Sequence, residues 1–299
     1  MLNSPLSGLI RRYAGFFRRI ANKDDFSGFA SKMQTVLTIA GFDPSSGAGV
    51  SADLMVFAAH GLFGTSCITS LTVQSTMGVK AAHPIRPETV RATLDCLEED
   101  LPSSGIKIGM LATEETVAAV ADFLGVLRRG EGRIPVVLDP VLRSSSGREL
   151  LEESGVEVLR KRLLPLVDWV TPNTDELGIL TGRRVAGRGD VPDAARALQA
   201  AGDGLNVLAT GGHLTPPDDF LLTAAGGTWW LPGARIDSTS THGTGCALSS
   251  ALLSGLVLGK SAYEAAVGAK LYVAEAIRTA AGMGKGKGTL NHLWTLGRF

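Results

Sequence analysis

From Thr35 onward the apolar positions follow two alternating rhythms. Short β-branched runs are separated by longer stretches in which apolar residues recur at helical spacing. Residues 36–40 read as a strand that stops at Gly41, and residues 52–59 as a helix. Residues 66–72 read as a second strand, 87–100 as a helix opened by Pro87, and 106–109 as a third strand. Residues 113–127 form a further helical stretch with a Thr113 cap ahead of Glu115 and Thr116. Residues 135–138, 169–171 and 206–210 are three more strands, ending at Asp139-Pro140, Pro172 and Gly211-Gly212. Residues 220–222 and 228–231 bracket Ala225-Gly226-Gly227 as a hairpin. Helices starting at Gly245 and at Ala262 complete the pattern.

Strands alternating with crossover helices predict an α/β fold, a mostly parallel sheet covered on both faces. Ligands in such sheets gather beyond the carboxyl ends of the strands. The segments expected at that edge are Gly41-Phe42-Asp43-Pro44, Thr72-Val73-Gln74, Gly109-Met110, Asp139-Pro140-Val141, Thr171-Pro172-Asn173 and Gly211-Gly212-His213. Two glycine-rich stretches are decoys. Gly259-Lys260-Ser261 lies one residue short of a Walker A loop counted from Gly255, and it follows a helix. The stretch GFDPSSGAG at 41–49 is not GxGxxG, which argues against a dinucleotide. No repeat or linker divides the chain, so residues 34–299 are expected to form one domain.

Residues 1–33 differ in tone, with Arg11-Arg12-Tyr13 followed by Phe16-Phe17-Arg18-Arg19. A basic amphipathic helix touching a membrane or a partner would read this way. The stretch lacks the apolar core and cleavage site of a secretion signal, and Asp24 and Asp25 count against a transit peptide. A loosely ordered extension outside the core fold is expected.

Charge adds exclusions. The chain carries 29 basic and 29 acidic residues, so no basic field recruits nucleic acid. No apolar run reaches the ~18 residues of a membrane span. Cys67, Cys96 and Cys246 are odd in number and far apart, which points to a reducing, cytoplasmic setting. The five histidines and the absence of CxxC give no zinc spacing.

The densest chemistry lies in Ser240-Thr241-His242-Gly243-Thr244-Gly245-Cys246, directly ahead of a small-residue apolar helix. Two glycines flanking a threonine at a helix start expose successive backbone N–H groups at the positive end of the helix dipole. That suits an anion such as a phosphoryl group. Cys246 falls on the first turn, where a thiol pKa is lowered. The same segment also reads as a tight loop entering a buried helix, with cysteine as small apolar filler.

From Thr35 to about Gly288 the chain resembles the hydroxymethylpyrimidine/phosphomethylpyrimidine kinases of thiamine biosynthesis, in the ribokinase-like superfamily. The resemblance is carried by TIAGFDPSSGAGVSADL (38–54), LTVQST (71–76), KIGML (107–111), VVLDPV (136–141), VTPNTDE (170–176), GGH (211–213) and THGTGC (241–246), in family order. It implies a ribokinase-like three-layer αβα sandwich that uses ATP and Mg²⁺ to phosphorylate 4-amino-5-hydroxymethyl-2-methylpyrimidine and then its monophosphate. The amides of Gly243, Thr244, Gly245 and Cys246 would hold the migrating phosphoryl group. Cys246 stands where the wider superfamily has an aspartate base, and would take the hydroxymethyl proton. Gln74 would read the ring, its amide offering a donor and an acceptor side by side. Gly41, Asp53, Met110 and Val141 would line the same pocket, with Asp53 alternatively bracing a helix. Asn173 and Glu176 match the family's NxxE pattern, with Glu176 organising Mg²⁺ through water. Asp139, Thr210 and Gly212 would lie along the nucleotide. Relatives are commonly dimers, so a homodimer is expected.

The chain also departs from the family. Thr210 stands where a lysine often precedes Gly-Gly-His, and Ser144-Ser145-Ser146-Gly147 replaces Ala-Lys-Ser-Gly, leaving Arg143 as a nearby stand-in cation. Two rivals share these features: a pyridoxal or pyridoxine kinase, and a non-catalytic pyrimidine sensor.

Overall fold

A computed structural model of the chain describes residues 33–296 apart from 131, 145 and 146. The basic N-terminal stretch, Ser145 and Ser146 lie outside the described residues. The strands are β1 (Thr35–Phe42), β2 (Phe63–Ser75), β3 (Gly78–Pro84), β4 (Ile106–Ile108), β5 (Val136–Leu138), β6 (Trp169–Val170), β7 (Asn206–Ala209), β8 (Asp219–Leu222) and β9 (Thr228–Leu231). The helices are α1 (Gly49–Ala59), α2 (Pro87–Asp100), α3 (Glu114–Leu127), α4 (Glu153–Val158), α5 (Thr174–Thr181), α6 (Val191–Gln199), α7 (Thr244–Val257) and α8 (Ala262–Arg278).

The strands form one sheet in the order β3-β2-β1-β4-β5-β6-β7-β8-β9. The run from β2 to β7 is parallel, and the flanking strands β3, β8 and β9 are antiparallel. The expected three-layer α/β sandwich is therefore present. Its layers follow from the two-residue period of the strands. Leu37, Ile39, Ile106, Ile108, Val136, Leu138, Val170 and Val207 face one core, shared with α2, α3, α5 and α6. Val36, Val137, Trp169 and Leu208 face the other, shared with α1, α7 and α8. Each buried Leu, Ile or Val side chain contributes about 1.5–3 kcal/mol.

The local signals held where they were strong. Pro87 occupies the first turn of α2, and Thr113 Oγ1 accepts from the Thr116 N–H at 3.3 Å to cap α3. Other elements were not anticipated. β2 runs on to Ser75 and turns into β3, so Gln74 lies on a strand rather than in a loop. α6 was also missed, although Val191, Ala194, Ala195 and Leu198 have helical spacing and all face the core.

The parallel strands end on one edge. There β1 delivers Asp43, β4 Met110, β5 Asp139, β6 Asn173 and β7 Thr210, and the N-termini of α1 and α7 meet the same edge.

Candidate active site

Two loops from opposite ends of the sequence touch here. Gly243 caps α7 with φ 86°, a left-handed conformation that suits glycine. A Cβ at Gly243 would lie 1.8 Å from the Gly47 carbonyl oxygen, and one at Gly47 2.3 Å from His242 Cδ2. The glycines let the loop before α1 lie against the turn before α7. The amides of Thr244, Gly245 and Cys246 then occupy the first turn of α7, at its positive end.

Cys246 is half-buried at that turn and accepts a hydrogen bond from the Gly49 N–H at the head of α1. The lowered thiol pKa expected from its helix position does not appear. Burial pushes the thiol up to about 12. Lys107 pulls against this, and Asp53 and Asp139 add to it. Desolvation outweighs the dipole because the sulfur is shielded from water.

Asp53 is a correction of a different kind. It was expected to line the substrate pocket, but its side chain is fully buried. Lys107 Nζ donates to its Oδ2 at 2.8 Å, Thr38 Oγ1 to the same oxygen at 2.6 Å, and Ser250 Oγ to Oδ1 at 2.8 Å. Both carboxylate oxygens are thus engaged. Ser250 lies one turn after Cys246 on α7, so the ion pair sits under the thiol as a brace, the alternative weighed for Asp53. The Lys107 pKa is raised: burial lowers it, and the acids Asp53 and Asp139 together with Cys246 more than compensate.

On the ring side, a Cβ at Gly41 would meet Met110 Sδ at 3.0 Å, so these two expected pocket residues adjoin. The Met110 carbonyl accepts from Thr69 Oγ1 at 2.5 Å. Val141 is half-buried, and its N–H donates to the Asp139 carbonyl at 2.8 Å. Gln74 reaches across to the turn before α7, its amide nitrogen 3.0 Å from His242 Nε2. Gln74 thus meets the segment ahead of α7 through His242.

Asp139 and Glu176 mark the opposite wall. Ser249 Oγ donates to Asp139 Oδ2 at 3.3 Å, and Gly245 lies against the same carboxylate. The NxxE pair is a helix cap: Asn173 Oδ1 accepts from the Glu176 N–H, and Glu176 Oε2 from the Asn173 N–H, both at 2.9 Å. This box fixes Glu176 at the head of α5. Burial raises the Glu176 pKa, and nearby Asp139 raises it further. Asp139 is also raised by burial, with Lys107 opposing. Two carboxylates raised by burial, one of them further raised by the other, suit a divalent cation with oxygen ligands.

Thr210 pairs with Asn173 as an isolated bridge and donates its N–H to the Pro172 carbonyl at 2.8 Å. Gly211 is anchored by Asp219 Oδ1 at 2.8 Å, leaving Gly212 exposed beside it. Arg143 is exposed at the start of the turn through Ser144 and Arg148.

Sequence reasoning placed Asp43 and His242 in segments at this edge but gave them no role, and it missed Lys107 and Ser250 as members of this constellation. Lys107 carried a readable signal: a lysine inside an apolar, fully buried strand must find an acid partner.

Comparison with known proteins gives a consistent result. A sequence model of the family described as Phosphomethylpyrimidine kinase matches residues 43–291. The chain is 39% identical over 273 residues to the hydroxymethylpyrimidine/phosphomethylpyrimidine kinase of Haemophilus influenzae, covering 90% of this chain and 99% of the relative. It is 40% identical over 260 residues to the thiamine biosynthesis bifunctional protein ThiED of Geobacter sulfurreducens, covering 87% of this chain and 52% of that longer protein. Among solved structures, a pyridoxal kinase from Staphylococcus aureus in complex with ADP overlays with a TM-score of 0.78 at 28% identity, covering 88% of this chain and 94% of the other.

Proposed function

The chain belongs to the phosphomethylpyrimidine kinase family, and on that premise we propose that it transfers the γ-phosphoryl group of ATP to 4-amino-5-hydroxymethyl-2-methylpyrimidine, then to the monophosphate, in thiamine biosynthesis. The observation that carries the reading is the contact between Gln74 and the turn that opens α7. It supports the reading by bringing the amide proposed to read the ring up to the segment proposed to hold the phosphoryl group.

Phosphoryl transfer asks the protein mainly for positioning and charge stabilisation. The amides of Gly243, Thr244, Gly245 and Cys246 stabilise the migrating group. Gln74 pairs with the ring, while Gly41, Met110 and Val141 pack against it. Cys246 accepts the hydroxymethyl proton. Asn173, Thr210 and Gly212 lie along the nucleotide. Glu176, through water, and Asp139 would hold Mg²⁺, which neutralises phosphate charge when bound. The raised pKa values of those two acids support that assignment.

The family is one of phosphotransferases, so the sensor reading is set aside. Pyridoxal remains a second substrate worth assaying, because the overlay with a pyridoxal kinase extends over most of this chain. The test is ATP consumption with the pyrimidine alcohol, its monophosphate and pyridoxal. Turnover of the first two is expected; none with the alcohol would overturn the reading, and preference for pyridoxal would replace it.

The protein is further read as a cytoplasmic homodimer. Leu71, Val73 and Met77 expose apolar surface along the edge hairpin, which supports self-association, and sedimentation tests it. The three cysteines are free thiols, as a reducing compartment requires.

A further inference from the structure

The His242 imidazole lies between a carboxylate and an amide. Its Nε2 is 2.7 Å from Asp43 Oδ2 and 3.0 Å from the Gln74 amide nitrogen. The ring itself is well fixed. It packs on Gly47, and the His242 N–H donates to the Gly288 carbonyl at 3.1 Å.

Asp43 is buried, and its oxygens accept from Ser45 N at 2.8 Å, Ser45 Oγ at 2.7 Å and Ala48 N at 3.0 Å. Burial alone would raise its pKa, but the bonds from His242 and Ser45 hold it below the ordinary value. Asp43 is therefore a carboxylate, which can only accept. The nitrogen facing it must carry a proton. An N–H on that nitrogen cannot accept from a Gln74 NH₂ group.

A second conflict lies at the other end of the amide. Thr72 Oγ1 has one proton and two acceptors within reach, the Phe42 carbonyl at 2.9 Å and Gln74 Oε1 at 3.1 Å. A half-turn of the amide, which exchanges its oxygen and nitrogen, removes the donor-against-donor contact at His242 and the competition at Thr72, and leaves one shared proton, that on His242 Nε2. The carbonyl oxygen then takes the longer branch of a bifurcated bond from the His242 Nε2–H, whose shorter branch goes to Asp43, and the NH₂ donates to Thr72 Oγ1, which donates in turn to Phe42.

We propose that His242, held by Asp43, fixes the sense of the Gln74 amide and so decides which way round the aminopyrimidine lies. The proposal rests on the reading of Gln74 as the ring-binding residue. With its carbonyl on the His242 side, the amide accepts from the exocyclic amine there and donates to the neighbouring ring nitrogen on the Thr72 side. The hydroxymethyl group is on the ring carbon next to the one bearing the amine, on the side away from that nitrogen. This sense swings it toward His242 and the adjoining Gly243, where the phosphoryl-binding amides begin. The opposite sense would turn it away. His242 is thus a positioning residue that couples recognition of the ring to delivery of its hydroxyl.

The test compares two alcohols, the 4-amino pyrimidine and its 4-oxo counterpart, which presents donor and acceptor in reversed order. The wild type is expected to prefer the 4-amino compound by about 100-fold in kcat/KM, since reversal leaves two polar groups mispaired. His242→Phe keeps a ring on Gly47 but loses the nitrogen, and the preference is expected to fall to about 10-fold or less. His242→Gln, which restores an N–H donor, recovers part of it and serves equally if the phenyl ring disturbs folding. Gln74→Ala is expected to raise KM for the 4-amino alcohol about 30-fold, with His242→Phe adding little in the double variant. A full preference in both His242 variants, or additive effects in the double variant, overturns the proposal while leaving Gln74 as the ring reader. An unchanged KM in Gln74→Ala removes that reading, and the proposal with it.

Discussion

A thiol at the head of a helix feels two opposed influences, and Cys246 shows which prevails. The dipole of α7 and the charge of Lys107 favour the thiolate, but burial pushes the group up to about 12. A base of such high pKa is rarely deprotonated at neutral pH, yet its thiolate is a strong acceptor once formed. The first phosphorylation, which must remove a hydroxyl proton, is therefore expected to accelerate from pH 7 to pH 9 by up to about tenfold per unit. The second starts from a phosphate monoester already ionised above about pH 6 and needs no such help. Cys246→Ser is expected to slow the first step more than the second. Separate rate measurements with the alcohol and its monophosphate check both points, and equal losses would contradict the base role.

At the level of elements, the Lys107–Asp53 pair joins β4 to α1, while Ser250 brings in α7. Lys107→Met alone would leave a buried carboxylate without its cation, at a cost of about 3–5 kcal/mol. Lys107→Met combined with Asp53→Leu is expected to recover most of that, because apolar replacement of both partners is often neutral. Urea midpoints of the two variants compare them directly; a single variant as stable as the double would show that the acid is not stranded. The elements also mark the limit of what the sequence disclosed. Capped or proline-led helices such as α2 and α3 were legible, as were strands ending in glycine or proline. β3 was not, because Val79, Lys80, Ala81 and Ala82 alternate too weakly to announce an edge strand.

The molecule as a whole carries an acid-sensitive contact away from the cleft. His60 ends α1, with Nδ1 2.8 Å from the Val56 carbonyl and its ring 4.8 Å from that of Tyr272 on α8. Burial pushes its pKa down to about 4 from an ordinary 6.5, with the Val56 bond opposing. Between those values the unfolded chain binds a proton that the folded one refuses. The stabilisation is thus complete above pH 6.5 and lost as pH falls toward 4, about 3 kcal/mol in all. Wild-type stability is expected to lose that much relative to His60→Gln between pH 7 and pH 4, read by urea unfolding; parallel curves would refute it. At this scale the site was legible in its motifs but not in its supports. Gly41, Gln74, Met110, Asn173, Glu176 and the turn at Gly243 reach one edge, as their order along the strands implied. The bond from His242 to Asp43 spans 199 positions, and no local pattern reports a partner so distant.

That span has a consequence during synthesis. The sheet from β1 to β7 is encoded before residue 210, whereas the turn proposed to bind phosphate packs on Gly47 and is stapled by Gly288. A chain still emerging from the ribosome can raise most of its sheet yet, on the proposed reading, has nowhere to seat a nucleotide's terminal phosphate. Competence arrives late, when the last fifth of the polypeptide closes over the loop at Gly47.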